Sequence, residues 1–192
     1  MSLQFDNKVF FHIGKTGGTY IRSCINKSAP KSTIKEIDQI HTHPISYIPK
    51  KQSIWICSIR EPLEWYESYF RWRNSKGWKK NHHVDDICKS ANFNNFTKKM
   101  IENFPFGYVS SLYARTVPFC DIVIDTKLLT EQLKFLFDRW DYYWYNSFTK
   151  KINVTDKQIP TVLLDQTKIN FLKTEQGAIN LYKLYASQGI KN

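Results

Sequence analysis

The sequence predicts an α/β fold, and two observations carry that prediction. Three apolar segments with strand character, Lys8 to Ile13, Ile54 to Ile59 and Asp121 to Asp125, recur along the 192 residues, each followed by apolar residues at helical spacing. The first of them runs into a loop that carries Gly14, Gly17 and Gly18. Strands alternating with helices argue for a central parallel sheet covered on both faces, a three-layer α/β/α arrangement. Ligands on such sheets bind at the carboxyl ends of the strands.

Each element has its own local reason. Val9, Phe10, Phe11 and Ile13 make the first strand, with His12 read as a core histidine. A helix over Gly18 to Ser28 follows from Ile21, Cys24 and Ile25 at i, i+3 and i+4, and Ala29-Pro30-Lys31-Ser32 ends it. A short extended stretch, Ile34 to Ile40, leads to His41-Thr42-His43-Pro44. The Ile54 to Ile59 strand feeds a helix opened by Pro62, which suits a first helical turn and runs to about Arg73. Residues 74–92 are polar and basic, with His82 and His83, and read as a surface excursion. Phe93 to Glu102 reads as a helix, Asp121 to Asp125 as the third core strand, and Thr130 to Trp140 as the helix after it. The tail from Gln166 to Ser187 is helical with an interruption near Thr174. There is no repeat and no linker, so residues 1–192 are expected to form a single domain, burying roughly 70% of the unfolded surface.

The net charge of +11 calls for anionic partners. The basic residues are dispersed and no nucleic-acid motif is present, which leaves a multiply charged nucleotide or an acidic polysaccharide ahead of nucleic acid. Cys24, Cys57, Cys88 and Cys120 form no C-x-x-C pair and read as buried thiols rather than metal ligands. No run has the apolar length of a membrane span, and the N-terminus lacks the basic-then-apolar order of a signal peptide. The expectation is a soluble, cytoplasmic protein with no membrane partner.

Residues 8–19, KVFFHIGKTGGT, carry the chemistry. A strand, a glycine-rich turn, Lys15 and a helix start together make a P-loop-like anion cradle. Glycines let backbone N–H groups converge, the helix N-terminus adds partial positive charge, and lysine adds a full one. It is not a Walker A loop, because Lys15 precedes Gly17 and Gly18 instead of following the last glycine. Nor does the second strand end in a magnesium-binding aspartate; it ends in Arg60, an anion ligand. Both points count against a small-molecule or nucleotide kinase using ATP and magnesium, which is kept as one alternative. A non-catalytic module binding anionic nucleotides or polysaccharides is another.

HIGKTGGT resembles the 5'-phosphosulfate loop of sulfotransferases that use 3'-phosphoadenosine 5'-phosphosulfate (PAPS), and IREPLEWYESYF resembles their 3'-phosphate motif, with Arg60 and, eight residues on, Ser68. The His-x-His pair between them, within residues 41–62, is closest to the uronosyl (heparan/dermatan) 2-O-sulfotransferase branch. Gly14 stands where the family usually has proline, Glu61 where it has aspartate, and Tyr20 where it often has serine or tryptophan. The resemblance covers residues 8–72 well and the C-terminal part weakly.

What the resemblance implies is a PAPS-dependent transfer of a sulfuryl group to an acceptor hydroxyl, plausible for a carbohydrate that could itself be anionic. A transferring sulfuryl group carries less charge than a phosphoryl group, so no metal is required. Lys15 would stabilise the leaving 5'-phosphate. The amides of Thr16, Gly17, Gly18, Thr19 and Tyr20, with the hydroxyls of Thr16 and Thr19, would hold that phosphate. Arg60 would grip the 3'-phosphate bidentately and Ser68 would add a hydrogen bond. The base candidates between the motifs are Glu36, Asp38, His41 and His43; the branch favours His43, with His41 assisting and Glu36 in reserve. Asn153, Thr155 and Lys157 resemble the segment that folds back over the cofactor.

Overall fold

The computed structural model describes residues 2–37, 44, 53–149 and 159–188. Along them run β1 (Leu3–Phe5), β2 (Lys8–Phe11), α1 (Gly18–Ser28), β3 (Lys35–Glu36), β4 (Ile54–Ile59), α2 (Pro62–Lys76), α3 (His83–Cys88), α4 (Phe93–Asn103), α5 (Tyr108–Ala114), β5 (Ile122–Asp125), α6 (Leu129–Arg139), α7 (Asp165–Thr174) and α8 (Gln176–Gln188). The chain divides into two compact units. One comprises Met1–Arg60, Arg115–Asn153 and Lys183–Asn192; the other comprises Glu61–Ala114 and Val154–Tyr182.

The first unit is built on a five-stranded sheet of order β3-β1-β2-β4-β5. The expected parallel sheet is found on one side, β2-β4-β5, where Phe10 of β2 lies opposite Ile56 of β4, and Ile56 opposite Ile122 of β5. The sheet as a whole is mixed, because β1 pairs antiparallel with both β2 and β3. The reason is local. Only Asp6 and Asn7 separate β1 from β2, and Asp6 adopts a left-handed backbone (φ 48). A two-residue connection can join only antiparallel neighbours.

One core cluster of this unit draws on one face of the sheet, and Val9, Phe11, Cys57 and Ile59 on the other face are buried as well. Leu3, Phe5, Phe10, Ile56 and Ile124 pack with Tyr20, Ile21, Cys24 and Ile25 of α1 and with Leu133, Leu136 and Phe137 of α6. The buried positions of α1 repeat at three and four residues, the stripe a helix needs to lie on a sheet. The helix stops at Ala29, whose N–H still reaches the Ile25 carbonyl, because Pro30 follows.

The second unit is helical and aromatic. Trp65, Tyr66, Tyr69 and Phe70 of α2 are buried with Phe93, Phe96 and Met100 of α4 and Phe171 of α7. Residues 74–92 differ from the expected surface excursion: they contain α3, in which Val84, Asp85 and Cys88 are buried. Asp85 is what draws this polar stretch inward. Its carboxylate pairs with Arg73 at 2.8 Å and accepts from the Tyr69 hydroxyl at 2.5 Å and the Lys79 N–H at 2.8 Å. A second buried carboxylate, Glu175, accepts from the Tyr66 hydroxyl (2.7 Å), the Val109 and Ser110 N–H groups (3.0 and 2.8 Å) and the Ser110 hydroxyl (2.9 Å). It thereby caps the start of α5 and ties that helix to α2. Among the described residues no helix is long and apolar enough to cross a membrane.

Candidate functional site

Because β2, β4 and β5 run parallel, their carboxyl ends share one edge of the sheet, and the loops leaving that edge carry Lys15, Arg60 and Lys127. The first of these loops is fixed from inside. Thr16 is fully buried, and its hydroxyl donates to the Ile13 carbonyl at 2.7 Å while lying 2.9 Å from the Ser58 hydroxyl. Lys15 is held in the left-handed region (φ 65) and so is Gly17 (φ 80), with Thr16 between them at negative φ. A left-handed backbone costs a lysine roughly 1–2 kcal/mol. Alternating handedness along consecutive residues turns their N–H groups toward a common concave side, the nest geometry that binds anions.

The two glycines after Lys15 are also dictated by packing. A Cβ on Gly17 would stand 2.7 Å from Leu129 Cδ2, and one on Gly18 would stand 1.9 Å from His12 Cδ2. Helix α1 opens from Gly17 with no side-chain cap among the described residues and no acidic residue in its first turn. Its leading N–H groups have no acceptor within the helix, and the helix dipole there favours negative charge.

The expected anion contacts are narrowed by this geometry. The Thr16 hydroxyl points inward and Thr19 is exposed. The Tyr20 N–H turns back to the Gly17 carbonyl at 2.9 Å. The Tyr20 ring is core: its hydroxyl donates to the Phe148 carbonyl, and burial pushes the phenol up.

Arg60 follows the last residue of β4 and is half-buried. The next loop along the edge is pinned beside it, since the Thr126 N–H donates to the Ile59 carbonyl at 2.9 Å. Asp125, at the end of β5, accepts from the Lys127 N–H at 2.9 Å and so shapes its own loop. Glu61 accepts from the Glu64 N–H at 2.8 Å and caps α2.

Lys15, Thr16, Gly17, Gly18, Thr19, Tyr20 and Arg60 therefore belong to one unit, on the loops at a single sheet edge. Ser68 is buried on α2, in the other unit. Asp38, His41, His43, Asn153, Thr155 and Lys157 lie outside the described residues. Glu36, the reserve base, sits on β3 with its carboxylate 2.6 Å from the Arg22 guanidinium. Sequence reasoning missed Ser58, Thr126 and Lys127. Ser58 had a signal, since a lone hydroxyl at the end of an apolar strand needs a buried partner.

Within the aromatic and basic stretch from Arg71 to Lys80, Arg71, Trp72, Arg73 and Trp78 are drawn into packing, while Lys76, Lys79 and Lys80 are exposed. Arg73 is buried against Asp85 with its Cζ 3.9 Å from the Trp72 ring centre, and Arg71 contacts Glu67 at 3.1 Å and the Thr161 hydroxyl at 2.6 Å. Among the described residues no group of three or more His, Cys, Asp or Glu side chains is placed to hold a metal ion. No family model, curated protein or solved structure matches this chain.

Proposed function

We propose that this chain is a PAPS-dependent sulfotransferase with a P-loop-like, three-layer α/β/α fold, acting on an acceptor hydroxyl of a carbohydrate. The observation that carries the reading is the strained, nest-forming loop around Lys15, with Arg60 on the same sheet edge. The residues fit a ligand with two separated anionic groups: a loop of converging amides with one lysine, and a guanidinium suited to bidentate contact with phosphate. Charge distribution supports it as well. The unit with this loop holds seventeen Lys and Arg against eight Asp and Glu, nine of the eleven net positive charges.

In this reading the bound cofactor supplies the sulfuryl group and a phosphate as leaving group. Lys15 places a full charge beside that phosphate, where negative charge grows in the transition state. The amides of Gly17, Gly18 and Thr19 orient the same group through the α1 dipole. Arg60 holds the 3'-phosphate; the resemblance adds Ser68 to that role and gives Asn153, Thr155 and Lys157 to the cofactor. His43 takes the acceptor proton, with His41 assisting; Glu36 is the reserve.

A thermal-shift panel separates the readings, since a ligand that binds the native state raises its melting temperature. Stabilisation by 3',5'-adenosine bisphosphate without magnesium is the expected result. Stabilisation only by ATP with magnesium would point to a kinase instead. Bisphosphate binding with no sulfuryl transfer to any of a panel of hydroxyl acceptors would point to a binding module.

A further inference from the structure

Hydrogen accounting at the anion loop assigns a role to Ser58. Thr16 has one hydroxyl proton, and the Ile13 carbonyl, which can only accept, takes it at 2.7 Å. The Ser58 hydroxyl, 2.9 Å away, must therefore be the donor to Thr16 Oγ1. Both side chains are wholly excluded from water, so no solvent molecule replaces either bond. The bond from Thr16 to Ile13 closes a ring across Gly14 and Lys15, and that closure is where Lys15 is left-handed. Gly14 lies in the same ring and can adopt almost any backbone angle, so the loop has an easy route by which Lys15 could relax. The orientation of Thr16 restricts that route, and the bond from Ser58 is a contact that fixes it.

We infer that Ser58 is a positioning residue for the anion loop: through Thr16 it holds Lys15 in the left-handed state and so sets the loop's affinity for anions. It stands on β4 two residues before Arg60, which makes one strand responsible for the placement of both cations. The inference rests on the anion-binding reading of the loop, and its test has one arm that needs no ligand.

The ligand arm is a double-mutant cycle read by calorimetry with 3',5'-adenosine bisphosphate. Ser58→Ala is expected to weaken binding roughly three- to tenfold, the effect of one lost buried hydrogen bond. In a Lys15→Gly background, where residue 15 takes the left-handed state without strain, the same substitution is expected to change affinity no further. Equal losses in both backgrounds would overturn the inference, since a merely structural role does not act through Lys15. The second arm follows the backbone NMR shifts of Lys15 without ligand. They should leave left-handed values in Ser58→Ala, and unchanged shifts would also overturn the inference. If the parent protein binds no bisphosphate, the sulfotransferase reading fails and the NMR arm alone decides on Ser58. Should Ser58→Ala not fold, Ser58→Cys, of similar volume and weaker donor strength, carries both comparisons.

Discussion

Lys15 combines a strained backbone with the charge proposed for catalysis, so two substitutions at this position should part company. Lys15→Ala removes the charge and keeps the strain; Lys15→Gly removes both. Turnover should fall on the order of 100-fold or more in either case. Chemical denaturation should find Lys15→Gly more stable than Lys15→Ala by about 1 kcal/mol, the cost of a left-handed non-glycine residue. Equal stabilities would mean that Lys15 is not strained in solution. At Gly18 the relevant neighbour is the His12 ring. Gly18→Ala should cost roughly 1–3 kcal/mol through overpacking, with much of that recovered in a His12→Ala background. The proposed base makes a separate claim. His43→Ala should lower turnover at least about 100-fold with cofactor affinity nearly unchanged, because the group acts in the chemical step. The parent rate should fall as pH drops through the imidazole range, near 6.5 for an ordinary histidine, since only the neutral ring accepts a proton. If Glu36→Gln is dead while both histidine variants stay active, the base is the carboxylate.

At the scale of elements, the parts with a strong local code were legible in the sequence. Helix α1 and strand β4 fall within the expected limits, because apolar spacing, Pro30 and Pro62 mark their ends. The turn around Lys15 was legible because three glycines between an apolar strand and a helical pattern mark a tight connection. Strand β1 was not legible, since its three residues carry almost no periodicity and only pairing with β2 makes them a strand. Helix α3 was hidden for a different reason: its polar residues look solvated until Asp85 finds Arg73, a partner twelve positions earlier. Ser58 escaped because its partner is 42 residues away. Long-range polar pairing is the information a single sequence shows least. Glu175 is of the same kind, and its removal should be felt across helices. Glu175→Ala leaves the Tyr66 hydroxyl and two α5 N–H groups without their acceptor, at an expected cost of roughly 3–5 kcal/mol. Urea denaturation would measure it, and a loss under 1 kcal/mol would show that α5 does not depend on this cap.

For the molecule as a whole, buried thiols predict an alkaline limit to stability. Burial pushes the Cys24 thiol up to about 12 and the Cys88 thiol up to about 11, against 9.0 for an ordinary thiol. The native state keeps both thiols neutral, whereas the unfolded chain can ionise them above about pH 9. Their contribution is therefore fully present below pH 9 and is lost as pH rises toward 11 and 12. Urea midpoints should be flat near pH 8 and fall above pH 9, and Cys88→Ser should make that fall shallower. An unchanged slope in Cys88→Ser would assign the loss to other groups, such as the buried Tyr66 phenol, which is also pushed up.

The mixed sheet also bears on how the chain comes together in time. The β1–β2 hairpin closes over two residues, while pairing β2 with β4 brings together residues more than forty positions apart, and β5 lies further still along the chain. Hairpins form in microseconds, whereas non-local parallel pairing is slow because loop-closure entropy must be overcome first. The strand that leads into the anion loop thus has an early partner, available before the strand bearing Ser58 and Arg60 arrives. Folding is expected to wait on β4 and β5, so substitutions at the β2–β4 contact should slow refolding more than substitutions in the Asp6–Asn7 turn.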